Sequence, residues 1–429
     1  MNPRSGVKLI AIGYNTSGTG LTRVMHSVVR RLAGRYEIHY LGIGYQGEPI
    51  RDRNLTIHPT NPRGGDVFAA FQAKRMIEEL EPALVFILHD IWLFEHYLKI
   101  LGPFRDRLKI VGYIPLDGRV TNEEVAAPLE GADRVVVYTE FARTQIEGAF
   151  DRLRGRCGSG QFPKVEVIPH GVDRDRFFPF PELVEAGFAS AGRAKAKSRI
   201  FGDLEDVGES FVVLNASRPD KRKRIDLTIE GFARFAAGKP SNVRLCLHHA
   251  ILGEAEQRQI ESLLRQCGIE ERVYLNPLAG GVVGDDKLNL LYNACDVGIN
   301  TSMGEGWGLV SFEHAAAGAT QIVPDHTACG EIWRGRGELI PTTRSFIPEF
   351  SVLEMGEVTV EGVAEALENL YRDPRRRQEL SQAAFATTQK AEYSWDAVAQ
   401  QFDDLFVAIA NSLPNQRAAN HGAKKISIL

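Results

Sequence analysis

The chain has 429 residues, too many for one ordinary hydrophobic core, so two domains of about 150 to 200 residues each are expected. Hydrophobic residues at 44% and charged residues at 25% exclude a disordered chain. A formal net charge of -4 excludes a global positive field that would recruit nucleic acid. The cysteines, Cys157, Cys246, Cys267, Cys295 and Cys329, are widely spaced and form no C-x-x-C pair, so they read as free thiols of a reducing cytoplasm. The opening MNPRSGVKLIAIGYN is too short for a membrane span and lacks a cleavage site; neither anchor nor signal peptide is expected, only a first core strand.

Short apolar β-rich runs then alternate with helix-periodic segments, the pattern of α/β proteins with doubly wound parallel sheets. In the first half the strands read VKLIAIGY, YEIHYLGIGY, ALVFILHD, KIVGYIPLD, RVVVYT and KVEVIPHGV, with helices LTRVMHSVVRRLAG, DVFAAFQAKRMIEEL and TEFARTQIEGAF between them. The alternation pauses from Pro169 to Pro181 and across a polar segment, then restarts with SFVVLNAS, VRLCLHHA, VYLNP, VGINTS, TQIVPD and GELIP. Helices are expected near Ile225 to Ala237, Glu254 to Gln266, Lys287 to Ala294 and Leu309 to Ala317, then in EGVAEALENLY, PRRRQELSQAAFATTQ and SWDAVAQQFDDLFVAIANS. The expected organisation is a first Rossmann-like domain over 1–180, a connector over 181–209, a second Rossmann-like domain over 210–393, a final helix over 394–412 and a disordered tail over 413–429. Open α/β sheets bind ligands beyond the carboxyl ends of their strands, so the cleft between two facing domains is the expected site.

The motifs fall at those strand ends. In NTSMGEGWGLVSFEHAAAG, Glu305 and Glu313 stand on either side of the turn Gly306, Trp307, Gly308, with a helix from about Leu309. Bare backbone N–H groups at that helix start suit a phosphate or a sugar hydroxyl, and each carboxylate suits one vicinal diol. A surface turn before an amphipathic helix explains Leu309 and Phe312 but not two glycines beside a tryptophan. In NASRPDKRKRIDLTIEGF, Arg218 and Lys223 precede a helix, as fixed positive charge for a diphosphate leaving group would. Lys221, Arg222 and Arg224 of the same run read as solvated. In YNTSGTGLTRVMHSVV, Gly18 and Gly20 permit close backbone approach without matching the dinucleotide fingerprint G-x-G-x-x-G.

Other residues carry less. His89 and Asp90, at the end of ALVFILHD, are cleft candidates, although a lone histidine after an apolar strand is more often a structural hydrogen-bonder. Asp173, Arg174 and Asp175 have the form of a D-x-D metal site but sit in the segment leaving the first domain, away from the diphosphate signals, and read as a turn. His248 and His249 read as buried, satisfied histidines, and the basic stretch Arg143 to Lys164 as a solvated loop.

These features together resemble the family 4 (group 1) retaining glycosyltransferases of GT-B fold, two facing Rossmann-like domains with a cleft between them. Glu305 and Glu313 match the family's E-x7-E motif, Arg218 and Lys223 its Arg-x4-Lys diphosphate pair, and Gly20 its N-terminal glycine loop. VIPHGVDRDRF is similar to the interdomain segment, with His170 where the family usually has Asn, and SWDAVAQQF around Trp395 to the late helix that returns to the first domain. The family often has a histidine near the reacting sugar at the end of the strand that here reads KIVGYIPLDG; this chain has Tyr113, Pro115 and Asp117 there, so Tyr113, like Gly18, is an acceptor or cleft candidate and Asp117 the candidate to orient acceptor or support charge.

The resemblance implies transfer of a hexose from a UDP- or GDP-sugar to a saccharide, glycolipid or small-molecule hydroxyl. It implies retention of configuration by front-face attack, with no metal and no cofactor. Arg218, Lys223, Glu305 and Asp117 would then be catalytic, and Gly20, Gly306, Trp307, Gly308, Leu309 and Glu313 would bind donor. A cytoplasmic protein is expected, with peripheral contact at the inner face of a membrane as an option set by the acceptor. The rival readings are a catalytically silent nucleotide-sugar-binding scaffold and another GT-B enzyme such as a nucleotide-sugar epimerase.

Overall fold

The computed structural model describes residues 7–410 except 158–159, 203–206, 250–252 and 279–280. The apolar runs of the first half become β1 (Lys8–Tyr14), β2 (Glu37–Ile43), β5 (Leu84–Leu88), β6 (Lys109–Ile114), β7 (Arg134–Val137) and β8 (Val165–Val167), joined by the short β3 (Ile50–Asp52) and β4 (Leu55–Pro59). Their order is β3-β4-β2-β1-β5-β6-β7-β8, parallel throughout except for the β3–β4 hairpin. The second sheet is wholly parallel: β9 (Phe211–Asn215), β10 (Val243–Leu247), β11 (Val273–Leu275), β12 (Val297–Ile299), β13 (Thr320–Pro324) and β14 (Glu338–Ile340), ordered β11-β10-β9-β12-β13-β14. Strands buried on both faces read as unbroken apolar runs, which is why LVFIL and TQIVP carry no alternation.

Several elements escaped the sequence pattern. The hairpin over 50–59 is built from IRDRNLTIHP, whose first strand is fully exposed and therefore polar. A helix covers Phe94–Leu101, another Thr327–Trp333, and a second hairpin pairs β15 (Arg344–Phe346) with β16 (Met355–Glu357). The basic stretch from Arg143 is not a loop: one helix runs Glu140–Cys157, with Arg152 and Arg156 paired to Glu123 and Arg154 to Asp151.

The described part of segment 181–209, residues 181–202 and 207–209, docks on the second domain through Arg193 and Lys197. Arg193 is buried and donates to the Gly318 carbonyl at 2.6 Å, while buried Lys197 pairs with buried Asp296 at 2.9 Å. The last described helix, Trp395–Ala410, returns to the first domain and packs on the helix Gly20–Leu32. Arg35 meets Asp403 at 2.5 Å, the Tyr36 hydroxyl donates to the same carboxylate at 2.7 Å, and Arg31 meets Asp396 at 2.6 Å. Residues 411–429, including the expected tail, lie outside the described residues. Among the described residues no helix is long and apolar enough to cross a membrane.

Phe402 carries much of this return contact: it is fully buried, with ring centroids 5.0 Å from Phe86 and 4.9 Å from Tyr113. Phe402→Ala removes a large aromatic from a core that closes only partly around the gap, so it is expected to cost about 3–5 kcal/mol in chemical denaturation. A loss below about 1 kcal/mol would mean that the helix is not an integral part of the first domain's core.

Candidate active site in the cleft

The turn after β12 is built by side chains that bond their own backbone. Asn300 accepts from the Ser302 N–H at 2.8 Å through Oδ1, and its Nδ2 donates to Glu305 Oε1 at 2.9 Å. Thr301 donates to the Arg224 carbonyl at 2.7 Å, and the Met303 N–H donates to the Arg222 carbonyl at 2.8 Å, tying this turn to the basic run. Sequence reading passed over Asn300, Thr301 and Ser302; the polar triplet NTS closing an apolar strand is the signal that could have found them.

Glu305 is thereby held against two cations. Lys223 Nζ lies 2.5 Å from Oε1, and Arg222 Nη1 lies 3.5 Å from Oε2. Burial works to raise the Glu305 carboxyl, yet Lys223, Arg222 and the Asn300 amide outweigh it and hold it at about 2. Arg222 spans the cleft: its Nε lies 3.3 Å from Asp117 Oδ2 of the first domain, and Nη1 donates to the Gly304 carbonyl. The expectation of a solvated Arg222 is corrected here; it is three-quarters or more buried and links the two domains' carboxylates. Arg224 likewise pairs with Asp226 and Glu357. Arg218 differs from Lys223: its side chain is half exposed and 3.7 Å from Asp220. Burial and Glu305 raise the Asp117 carboxyl above the usual range, with Arg222 opposing.

Glu313, on the helix Leu309–Ala316, meets a second set of partners. Arg23 of the first domain lies 3.2 Å from Oε1, and the Tyr292 hydroxyl donates to Oε2 at 3.3 Å. Arg23 also pairs with Asp285 at 2.6 Å, and Asp285 with Arg176 at 2.6 Å. Sequence reading passed over Arg23, Asp285 and Tyr292, because each sits inside an ordinary helical pattern. Between the two carboxylates the backbones touch: a Cβ on Gly304 would fall 1.8 Å from the Asp117 carbonyl oxygen, and one on Gly20 3.1 Å from Leu309 Cδ1. Gly308 caps the helix at φ +90, and Gly18, exposed at φ +78, shapes the turn after β1.

Two expectations are corrected. Trp307 does not turn toward a donor; its indole is buried among His170, Phe312 and Tyr393, with ring centroids at 5.5, 5.1 and 5.8 Å. Tyr113 is no cleft residue, because it is fully buried and its hydroxyl donates to the Ile168 carbonyl at 3.0 Å. Burial holds His89 neutral, at about 3, and its Nδ1 accepts from the Asp90 N–H at 2.8 Å. Asp90 is partly exposed on the same side of the cleft as Asp117. His248 is buried with neither ring nitrogen partnered among the described residues, so the reading of a satisfied histidine does not hold for it; His249 Nδ1 faces the Ser217 carbonyl at 2.5 Å. Asp173 and Arg174 serve the connector, pairing with Arg176 and with the Thr388 and Lys390 carbonyls.

The glycine turn and helix start of the second domain thus meet Asp117 of the first across the cleft. Residues 197–387 match the family model described as glycosyl transferases group 1. A D-inositol 3-phosphate glycosyltransferase of Streptomyces griseus is 27% identical over 69% of this chain and 62% of its own length. A mannosylfructose-phosphate synthase of Agrobacterium fabrum is 31% identical over 38% of this chain and 33% of its own. The chain thus spans less than two thirds of the length of these relatives. Among solved structures, sucrose-phosphate synthase from Thermosynechococcus elongatus superimposes with a TM-score of 0.70 at 19% identity, over 95% of this chain and 100% of that one. Anabaena HepE, in complex with UDP and glucose, gives 0.65 at 15%, over 94% and 100%. The group 1 glycosyltransferase match lies within residues 197–387, most of the second domain, and the two-sheet architecture is the GT-B fold.

The two glutamates respond oppositely to pH. Burial pushes Glu313 up to about 7, against Arg23, with Asp285 and Asp173 adding to the rise and Tyr292 opposing it. A carboxyl raised in the folded state binds its proton more tightly there than when unfolded. Stability is therefore lost as pH climbs from the usual carboxylate value to about 7. Glu313→Gln mimics the protonated form and removes that loss. Its stability relative to wild type is expected to rise by up to about 3 kcal/mol between pH 5 and pH 8 in denaturant titrations, and a flat difference would contradict the buried-charge account.

Proposed function

We propose that this chain is a retaining glycosyltransferase that moves a hexose from a UDP- or GDP-sugar to an acceptor hydroxyl, without a metal. The observation that carries the reading is the buried cluster of Lys223 and Arg222 on Glu305, at a glycine turn that opens a helix. A departing nucleoside diphosphate gains negative charge in the transition state, and prearranged cations in a water-poor cleft stabilise it there most strongly. Lys223, Arg222 and the more exposed Arg218 are the groups for that task. Glu305, ionised at neutral pH, accepts from the hydroxyls of the transferred sugar, and Glu313 accepts from the ribose.

In the front-face scheme the acceptor oxygen attacks the anomeric carbon as its bond to the diphosphate breaks. The acceptor proton passes to the departing phosphate oxygen, so no enzymic base is needed. Asp117, held by Arg222, faces the reacting sugar from the first domain, where it orients an acceptor hydroxyl or supports positive charge on the ring. The close contact of the buried Gly304 with the Asp117 carbonyl brings the two domains together beside this space. The relatives' names carry a mannosylfructose phosphate and an inositol 3-phosphate, and the neighbour HepE is in complex with UDP and glucose, which supports a UDP-sugar and sugar-like acceptors here.

The test begins with thermal stability against UDP, GDP, ADP and their sugar conjugates in the presence of chelator. A ligand at a hundredfold excess over Kd adds about 2.7 kcal/mol, enough for a visible shift. With the responding donor, Lys223→Ala is expected to lower kcat by about 10²–10³, and Glu313→Ala to raise the donor KM with a smaller effect on kcat. Wild-type kinetics in both variants would overturn the assignment. Donor binding without turnover of any acceptor would favour the silent scaffold, and a nucleotide-sugar product with altered stereochemistry would favour the epimerase.

A further inference from the structure

The first domain's side of the cleft carries a feature that the donor chemistry leaves unused. After β5 the chain makes a single turn, Ile91–Leu93, in which Ile91 and Leu93 are buried and Trp92 is 52% exposed. The indole is braced, with ring centroids 6.1 Å from Phe68 and 6.3 Å from His89, both edge-on, and the rest of its surface faces solvent. Val67 and Phe71, on either side of Phe68 in sequence, are also exposed. Two residues before Trp92, the Asp90 carboxylate has no cation within salt-bridge distance among the described residues; its nearest ring nitrogen, 3.8 Å away, belongs to the neutral His89. Asp90 lies within electrostatic reach of Asp117, Arg222 and Arg218, and so beside the reaction cluster. Tyr14, whose ring centroid is 4.9 Å from that of His89, flanks it.

An exposed tryptophan beside an unpaired carboxylate, at the edge of a transferase cleft, has the two halves of a sugar-ring site. The C–H face of a pyranose or cyclitol packs on an indole, and adjacent hydroxyls donate to the two oxygens of one carboxylate. We propose that this wall is an acceptor subsite for an uncharged sugar or cyclitol ring, stacked on Trp92 and bonded through vicinal hydroxyls to Asp90. The inference rests on the glycosyl-transfer reading and names its acceptor class. A phosphorylated ring bound here would set its dianion against Asp90 and Asp117, while the cations within reach of Asp90, Arg222 and Arg218, are those assigned to the donor diphosphate. Those same carboxylates disfavour the other occupant of an exposed aromatic patch, an anionic bilayer.

The test uses the full chain and the donor that shifts its melting. Transfer is measured to methyl glucosides, galactosides and mannosides and to myo-inositol, against glucose 6-phosphate and inositol 3-phosphate. Donor hydrolysis without acceptor is followed in parallel. Uncharged rings are expected to be the better acceptors. Trp92→Ala is expected to raise their KM about tenfold while leaving donor KM and donor hydrolysis unchanged, and Trp92→Phe to restore most of the loss. Asp90→Asn is expected to raise acceptor KM without moving donor KM. Preference for the phosphorylated rings, transfer to none of the uncharged ones, or an unchanged acceptor KM in Trp92→Ala would overturn the inference while donor hydrolysis keeps the transferase reading standing. Sedimentation with phosphatidylglycerol vesicles that is lost in Trp92→Ala, with soluble transfer intact, would reassign the patch to a membrane. Absence of donor hydrolysis and transfer in the wild type would overturn both readings together.

Discussion

Arg222 is the constraint on which the rest of the molecule depends. Its guanidinium lies between Glu305 of the second domain and Asp117 of the first, and donates to the carbonyl of Gly304 on the way. Buried ion pairs of this kind add little net stability, because removing charges from water offsets most of their attraction. Their consequence is geometric. Separating the domains would leave Asp117 facing a cleft without its cation, so the arrangement in which both carboxylates reach Arg222 is favoured over intermediate openings. A second strap, Arg23 to Glu313 and Asp285, repeats the device at the far end of the motif. Both motif glutamates are therefore positioned by residues that also register one domain against the other.

Much of this was legible in the chain. Apolar runs ending in Gly, Asn or Asp marked the buried parallel strands, and the eight-residue spacing of Glu305 and Glu313 placed one carboxylate before a helix and one inside it. What was not legible follows from identical chemistry in different surroundings. Lys221, Arg222, Lys223 and Arg224 form one unbroken cationic run, and nothing in it distinguishes the residue that crosses the cleft from those that do not. Only the turn Lys221–Lys223 and the left-handed Arg224 after it, at φ 48, decide which side chains point inward. Arg193 and Lys197 hid similarly in a polar segment, since a buried cation satisfied by carbonyls and Asp296 has the same letter as a solvated one.

Trp307 shows the opposite error, in which a residue inside a functional motif works through packing. Its indole joins His170, Tyr138, Tyr113 and Trp395, drawn from both domains and from the returning helix. This aromatic cluster sits where the chain passes from one domain to the other, and Gly171 makes room for the backbone of Trp395. Neither ring nitrogen of His170 has a partner among the described residues, and burial keeps the ring neutral, at about 3. A neutral imidazole at this place costs some desolvation but adds a flat ring to an aromatic stack, which an amide would not.

The two halves of the cleft thus obey different physics. On the donor side, charge is concentrated and paired: every motif carboxylate has a cation within 3.5 Å, and the helix start is opened by glycine. On the first domain's wall, no Lys or Arg lies within salt-bridge distance of Asp90 among the described residues, and aromatic surface surrounds it at His89 and Trp92. A diphosphate has the same charge whatever sugar it carries, so the donor side needs a fixed electrostatic frame. Acceptors differ in shape and in hydroxyl pattern, and their recognition falls to loops after β5 and β6 that the strands hold at their ends. The division explains why the motif spacing marked the second domain's residues together, whereas on the first domain the sequence offered only single candidates, His89, Asp90 and Asp117, and the exposure of Trp92 was not among its signals.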